Sequence, residues 1–137
     1  MTAAAPPAGR PDARAAALVV AGAAGRMGTR IVALARDTPD VRVVAALEAA
    51  GHRALGADVG ELAGIGPTGV TLGSDAAAAI TTDRVLVEFS VPDASLEHLR
   101  LVRALAVADT RNPPDPFRRR LYDKALASAK PVPRPVA

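Results

Sequence analysis

The residues of this chain best suited to chemistry are three glycines spaced by threes, in Gly22-Ala23-Ala24-Gly25-Arg26-Met27-Gly28. A GxxGxxG run is a variant of the dinucleotide-binding fingerprint, in which glycines turn a strand into a helix and bring backbone N–H groups to a phosphate. Gly22 would permit a sharp exit from the strand, Gly25 a close approach of a pyrophosphate, and Gly28 a close seat of the helix on the sheet. The N–H groups of the first helical turn, around Ala24 to Met27, would then face the anion at the positive end of the helix dipole. Arg26 adds a charge that either a phosphate or solvent can take. Glu48 lies twenty residues after Gly28, where an acidic group at the end of a second strand accepts the ribose hydroxyls of adenosine. The plain alternatives are spaced glycines in an alanine- and glycine-rich chain, and a solvated charge at a strand end.

Other chemistry is thinly supplied. The chain has no cysteine and two histidines, so thiol nucleophiles, disulfides and Cys- or His-rich metal sites are excluded. No metal ligands and no catalytic residue are assigned. His98 reads as a surface or packing histidine in mid-helix, and His52 as a loop residue with no carboxylate at a recognisable spacing. Asp58 and Glu61 read as groups that order a glycine-bearing loop. Glu88 ends an apolar strand, where burial could raise its pKa.

The elements that must position these residues alternate. Leu18 to Ala21 reads as a buried parallel strand ending at Gly22, and Met27 to Arg36 as a helix. Asp37-Thr38-Pro39-Asp40 breaks the helix, and Val41 to Leu47 reads as a second buried strand. Gly51 to Gly69 is a long segment with at most one helical turn near Glu61. Val70 to Leu72 suits a short third strand, and Ser74 suits the N-cap of a helix through Ile80, with Asp75 near its positive end. Val85 to Phe89 is a fourth strand, and Pro92 and Asp93 open a helix with Leu96, Leu99, Val102 and Arg103 at helical spacing. This order predicts an α/β fold: a truncated, Rossmann-like, doubly wound parallel sheet with helices on both faces and irregular terminal tails.

Composition draws the boundaries. Half of the 137 residues are apolar, but 32 are alanine, which leaves side chains for one modest core. Three of the twelve prolines fall in residues 1–14 and six in residues 100–137. The expected organisation is a disordered leader over residues 1–14, a folded domain over 15–102 and a basic, proline-rich tail over 103–137, with a short helix around Phe117 to Ala129. The net charge of +3 divides unevenly: residues 15–99 carry six Arg against ten acids, whereas residues 100–137 carry nine basic groups against three acids. The basicity thus belongs to the tail, where Arg118-Arg119-Arg120 could bind a polyanion but reads first as solvated, and a nucleic-acid partner is not expected. Three aromatic residues are too few for a base-stacking platform. No apolar run approaches the roughly 20 residues that span a bilayer, and a cytoplasmic protein is expected.

Several blocks of sequence resemble one family. Gly22 to Gly28, Ala45-Ala46-Leu47-Glu48, Leu55 to Gly64, Thr68-Gly69-Val70-Thr71 and Val87-Glu88-Phe89-Ser90-Val91-Pro92-Asp93-Ala94-Ser95-Leu96-Glu97-His98-Leu99 are similar, in that order, to the 4-hydroxy-tetrahydrodipicolinate reductases of lysine and diaminopimelate biosynthesis (older name dihydrodipicolinate reductases). The resemblance covers roughly residues 17–102. It implies an N-terminal Rossmann domain that binds NAD(P)H, and a family reaction that transfers hydride to the dipicolinate precursor. It also implies that Gly22, Ala23, Ala24, Gly25, Arg26 and Met27 hold the pyrophosphate, that Glu48 holds the adenosine ribose, and that Phe89 and Ser90 lie near the nicotinamide. Several members carry Arg after the acidic residue, where it can pair with the 2′-phosphate of NADPH. Ala49 stands there in this chain, so NADH is expected to bind at least as well as NADPH unless Arg53 reaches the phosphate. Glu88-Phe89-Ser90 replaces the usual Asp-Phe-Thr and keeps both acid and hydroxyl.

The family continues with a further strand, a Gly-Thr-Thr-Gly loop and a substrate and tetramerisation domain. The sequence from about Arg103 offers no counterpart and has the Arg/Pro/Ala-rich composition that coding sequence read out of frame often yields. The chain alone is therefore expected to bind dinucleotide without turnover, to meet a small-molecule substrate only if a C-terminal domain is supplied, and not to form the family homotetramer. A marginally stable fold, strengthened by bound dinucleotide, is the corresponding expectation.

Overall fold

The computed structural model describes residues 15–108 together with Lys124 and Ala127. The leader over 1–14 and the arginine run at 118–120 lie outside the described residues, as does the expected helix over 117–129 apart from Lys124 and Ala127, both helical. The elements run β1 (Ala16–Ala21), α1 (Arg26–Arg36), β2 (Val41–Leu47), α2 (Val59–Leu62), β3 (Leu72–Gly73), α3 (Ala76–Ala79), β4 (Arg84–Glu88) and α4 (Pro92–Ala108). All strand pairs are parallel, in the order β3-β2-β1-β4. Among the described residues this is the Rossmann-like parallel α/β sheet that the sequence predicts, with the strand order reversing between β1 and β4.

The period of two along β1 builds two cores. Val20 joins Ala23, Val32, Ala46, Val59 and Leu72 on the face covered by α1 and α2. Val19 and Ala21 join Leu47, Ala79 and Ile80 on the other face, against which Leu101, Val102 and Leu105 of α4 pack. β1 is central, and its residues Leu18 to Ala21 are all buried. A near-continuous apolar run is what a parallel strand covered on both faces requires.

Several boundaries differ from the sequence expectation. β3 begins at Leu72 rather than Val70, because the Val70 carbonyl accepts the Val59 N–H at 2.9 Å and Thr71 forms an isolated antiparallel bridge with Asp58. The N-cap of α3 is Asp75 rather than Ser74: its Oδ1 accepts the Ala78 N–H at 3.1 Å. α4 continues to Ala108, well beyond Val102.

The glycine-bearing loop is ordered by one carboxylate. Asp58 Oδ1 accepts from Gly60 N at 2.8 Å and Thr68 N at 2.9 Å, and Oδ2 accepts from Gly69 N at 2.7 Å. These bonds, led by that from the Thr68 backbone, outweigh desolvation and hold the Asp58 carboxyl at about 2. The loop-ordering role expected of Asp58 is the one it plays here.

Candidate functional site

The register of the sheet sets Ala21, Leu47 and Glu88 side by side at the carboxyl ends of β1, β2 and β4. The next residue of each strand, Gly22, Glu48 and Phe89, therefore leaves the sheet at the same edge. In an open parallel sheet, the crevice beyond the carboxyl ends where the strand order reverses is where ligands bind.

The glycine turn is shaped by this crowding. Gly22 has φ +75°, its N–H donates to the Leu47 carbonyl at 2.9 Å, and a Cβ there would lie 2.4 Å from the Phe89 carbonyl oxygen. Phe89 in turn donates its N–H to Ala21 at 2.9 Å, so the turn and the end of β4 touch through backbone alone. A Cβ on Gly28 would lie 2.1 Å from the Gly22 carbonyl oxygen and 2.6 Å from Ala23 Cα, so the first turn of α1 sits directly on the strand exit. Gly25 is different. Its φ is −78°, and a Cβ would meet only the Gly22 oxygen, at 3.2 Å. The fold itself demands Gly22 and Gly28, whereas the small size of Gly25 leaves open space on the exposed side.

Gly25 is the N-cap of α1 and offers no side chain to the helix. The N–H groups of Arg26, Met27 and Gly28 have no acceptor among the described residues, as a helix start without a capping side chain requires. The donors differ from the sequence expectation at two positions, and at one of them the Gly25 N–H donates to the Gly22 carbonyl at 3.0 Å. The Ala24 N–H is not free but donates to Glu48 Oε1 at 3.1 Å, and Glu48 Oε2 accepts the Ala49 N–H at 3.3 Å. Glu48 is thus brought onto the glycine turn, half-buried, with both oxygens directed at backbone. Ala23 is buried, Arg26 is exposed and Met27 is half-exposed. Phe89 is 44% exposed, and its large ring lies open at the strand edge next to half-buried Ser90. Ala49 and Arg53 are both exposed.

Sequence reasoning missed one arrangement. Glu88 Oε1 accepts the Ser90 N–H at 2.7 Å, and Oε2 lies 2.6 Å from His98 Nδ1 on α4. Burial by itself would raise the Glu88 carboxyl, but the hydrogen bonds from Ser90 and His98 prevail and hold it below its ordinary value, opposite to the rise expected for this strand end. The signal available in the sequence was a short connection, Phe89 to Val91, which folds the start of α4 back over the end of β4. His52, by contrast, uses Nδ1 locally to accept the Ala54 N–H at 3.1 Å. Among the described residues no group of three or more His, Cys, Asp or Glu is placed to hold a metal, and no helix is long and apolar enough to cross a membrane.

Comparison with known proteins accords with this geometry. The family described as "Dihydrodipicolinate reductase, N-terminus" matches residues 16–108, from the first residue of β1 to the last of α4. A protein of Anaeromyxobacter dehalogenans named 4-hydroxy-tetrahydrodipicolinate reductase is 46% identical over 91 residues, 66% of this chain and 34% of that protein. A second so named, from Syntrophobacter fumaroxidans, is 41% identical over 85 residues, 62% of this chain and 32% of its own. A third, from Geotalea uraniireducens, is 36% identical over 122 residues, 85% of this chain and 43% of its own. An alignment covering 85% of the chain extends past residue 108 wherever it begins, so part of the similarity to that relative lies in the tail, contrary to the expectation that the sequence from about Arg103 has no counterpart in the family. The chain spans between about a third and just over two fifths of the length of these curated relatives. Matched across every element of its sheet, the chain belongs to the dihydrodipicolinate reductase family, over that family's N-terminal region.

Proposed function

We propose that residues 15–108 bind a nicotinamide dinucleotide, NADH or NADPH, across the carboxyl edge of the sheet, and that the chain supplies the cofactor half of a 4-hydroxy-tetrahydrodipicolinate reductase. The observation that carries this reading is the meeting of three pieces at one edge. These are a helix start with unpaired N–H groups, an acidic side chain at the end of β2, and the exposed Phe89 beside the glycine turn. The residues fit the cofactor: Gly25 leaves room for a pyrophosphate where any larger residue would intrude, and Arg26 and Met27 offer N–H donors at the positive end of the α1 dipole. Gly22, Ala23 and Ala24 shape the loop beneath the phosphates. Glu48, already fixed by the Ala24 N–H, directs its remaining lone pairs to the adenosine ribose hydroxyls. Phe89 and Ser90 form the wall beside the nicotinamide.

Bound NAD(P)H would supply the hydride; the groups of this chain bind and orient the dinucleotide, and none of the residues 15–108 is assigned a proton-transfer role. No group of residues 15–108 is assigned to hold the small-molecule substrate, and the purified chain is expected to bind dinucleotide without reductase turnover. The same reading places the chain in the cytoplasm. The test is a thermal-shift and fluorescence titration of the purified chain with NADH and NADPH: saturable binding with a rise in melting temperature is expected. Absence of both, in a chain that melts cooperatively, refutes the reading. Measurable reductase turnover by the chain alone refutes the assignment of a cofactor half only.

A further inference from the structure

The pair formed by Glu88 and His98 is unlike the other ion pairs described. Arg36–Asp37 and Glu97–Arg100 lie in solvent, whereas the Glu88 and His98 side chains are 25% and 12% exposed. The pair bridges the connection from β4 to α4. One oxygen of the Glu88 carboxylate accepts from Ser90 N–H inside the connection and the other accepts from His98 Nδ1, at 2.7 and 2.6 Å. Phe89 lies between, with its N–H bonded to Ala21 and its carbonyl oxygen against Gly22, where no Cβ would fit. A continuous run of contacts therefore leads from the α4 imidazole, through one carboxylate, to the backbone that flanks the glycine turn.

Contacts other than this pair also hold α4. Leu101, Val102 and Leu105, further along the helix, pack against the buried cluster of Val19, Ala21, Leu47, Ala79 and Ile80. The polar contact acts locally, where a three-residue connection has few other constraints. A half-buried carboxylate deprived of one donor turns to solvent or to another partner, and the segment it held turns with it.

We infer that His98 is a positioning residue which, through Glu88, fixes the Phe89–Ser90 corner against the glycine turn and so sets the geometry of the nicotinamide end of the dinucleotide site. This rests on the dinucleotide reading above. The imidazole acts through its Nδ1–H, donated to Glu88.

Two ligands separate the possibilities: NADH, and ADP-ribose, which has the adenosine and pyrophosphate but no nicotinamide. Each is titrated into the wild-type chain, His98→Ala and His98→Asn, the last keeping an N–H donor for Glu88. His98→Ala is expected to weaken NADH about fivefold, part of the loss typical of one hydrogen bond to a charged group, and to leave ADP-ribose within about twofold. His98→Asn is expected to restore most of the NADH affinity. Should His98→Ala not melt cooperatively, His98→Leu fills the same space without a donor and carries the same expectations. Equal losses for both ligands, no loss for either, an Asn variant no better than Ala, or unfolding of both the Ala and Leu variants each overturns the inference. If the wild-type chain binds neither ligand, the dinucleotide reading itself fails, a result distinct from all of these.

Discussion

The three glycines of the turn differ in what surrounds them, so alanine at each should have a different consequence. At Gly22 an alanine must hold φ near +75° and place its methyl 2.4 Å from the Phe89 carbonyl oxygen. The left-handed conformation costs roughly 1–2 kcal/mol, and forcing apart packed backbone typically costs ~1–3 kcal/mol more. The total of about 2–5 kcal/mol is a large part of the 5–15 kcal/mol that holds a typical domain together. At roughly 4–8 °C per kcal/mol for a domain of this size, Gly22→Ala should lower Tm by about 10 °C or more. Gly28→Ala gains up to about 1 kcal/mol of helix propensity, but its methyl meets the Gly22 oxygen at 2.1 Å, and neither backbone can retreat without opening the strand exit. The clash wins and Tm falls here too. Gly25→Ala meets one atom at 3.2 Å in an ordinary conformation, so its fold is expected to survive with a loss of about 1 kcal/mol or less at the cap. Gly25 directly precedes the Arg26 and Met27 N–H groups, so an added methyl should crowd a phosphate held there, and NADH affinity should drop about tenfold or more. Differential scanning fluorimetry and NADH titration of the three variants decide the matter. Gly22→Ala or Gly28→Ala melting within about 2 °C of wild type would refute the packing argument. Gly25→Ala binding NADH like wild type would refute the phosphate argument.

Three further outcomes can be checked. NADH should bind at least as tightly as NADPH, because exposed Ala49 follows Glu48 and no arginine stands there for a 2′-phosphate; NADPH binding tenfold tighter or more in parallel titrations would contradict this. Asp58 titrates at about 2 when folded against an ordinary value of 3.8, so its contribution to stability is present above the unfolded value and lost as pH falls towards the folded one. Asp58→Asn should therefore melt below wild type near neutral pH, and the gap should narrow as pH falls from about 5 to about 3; a gap independent of pH would refute this account. Asp75→Ala removes the side-chain acceptor of the Ala78 N–H at the start of α3, and a loss of about 1 kcal/mol, or roughly 4–8 °C in Tm, is expected.

What the sequence made legible was governed by local pattern. β2, a run of β-branched and apolar residues bounded by Asp40 and Glu48, has the limits its pattern predicts. β1 begins two residues earlier than expected because Ala16 and Ala17 carry no strand signal of their own and are drawn in by pairing with Val41 and Arg42. β3 was displaced by tertiary contacts: Val70 and Thr71 are taken by residues near Asp58, which only the folded loop brings near. Ser74 and Asp75 are both competent caps, and side-chain geometry chose between them. At the site, spacing pointed to the glycine turn and Glu48, but not to the bonds that occupy the Ala24 and Gly25 N–H groups. The partnership of Glu88 with His98 was illegible for a similar reason. A strand end and a helix face ten residues apart share no period, and only the pitch of α4 over β4 joins them.

The contact between Gly22 and Phe89 has one more consequence. Because main chain meets main chain there, with no side chain between, the spacing between the turn and the neighbouring strand end is a property of the backbone. Substitutions away from the turn in either hydrophobic layer can alter stability without first altering this gauge, since the atoms that meet there are main-chain atoms. The fold can therefore drift in sequence on both faces while the dimensions of its carboxyl edge persist.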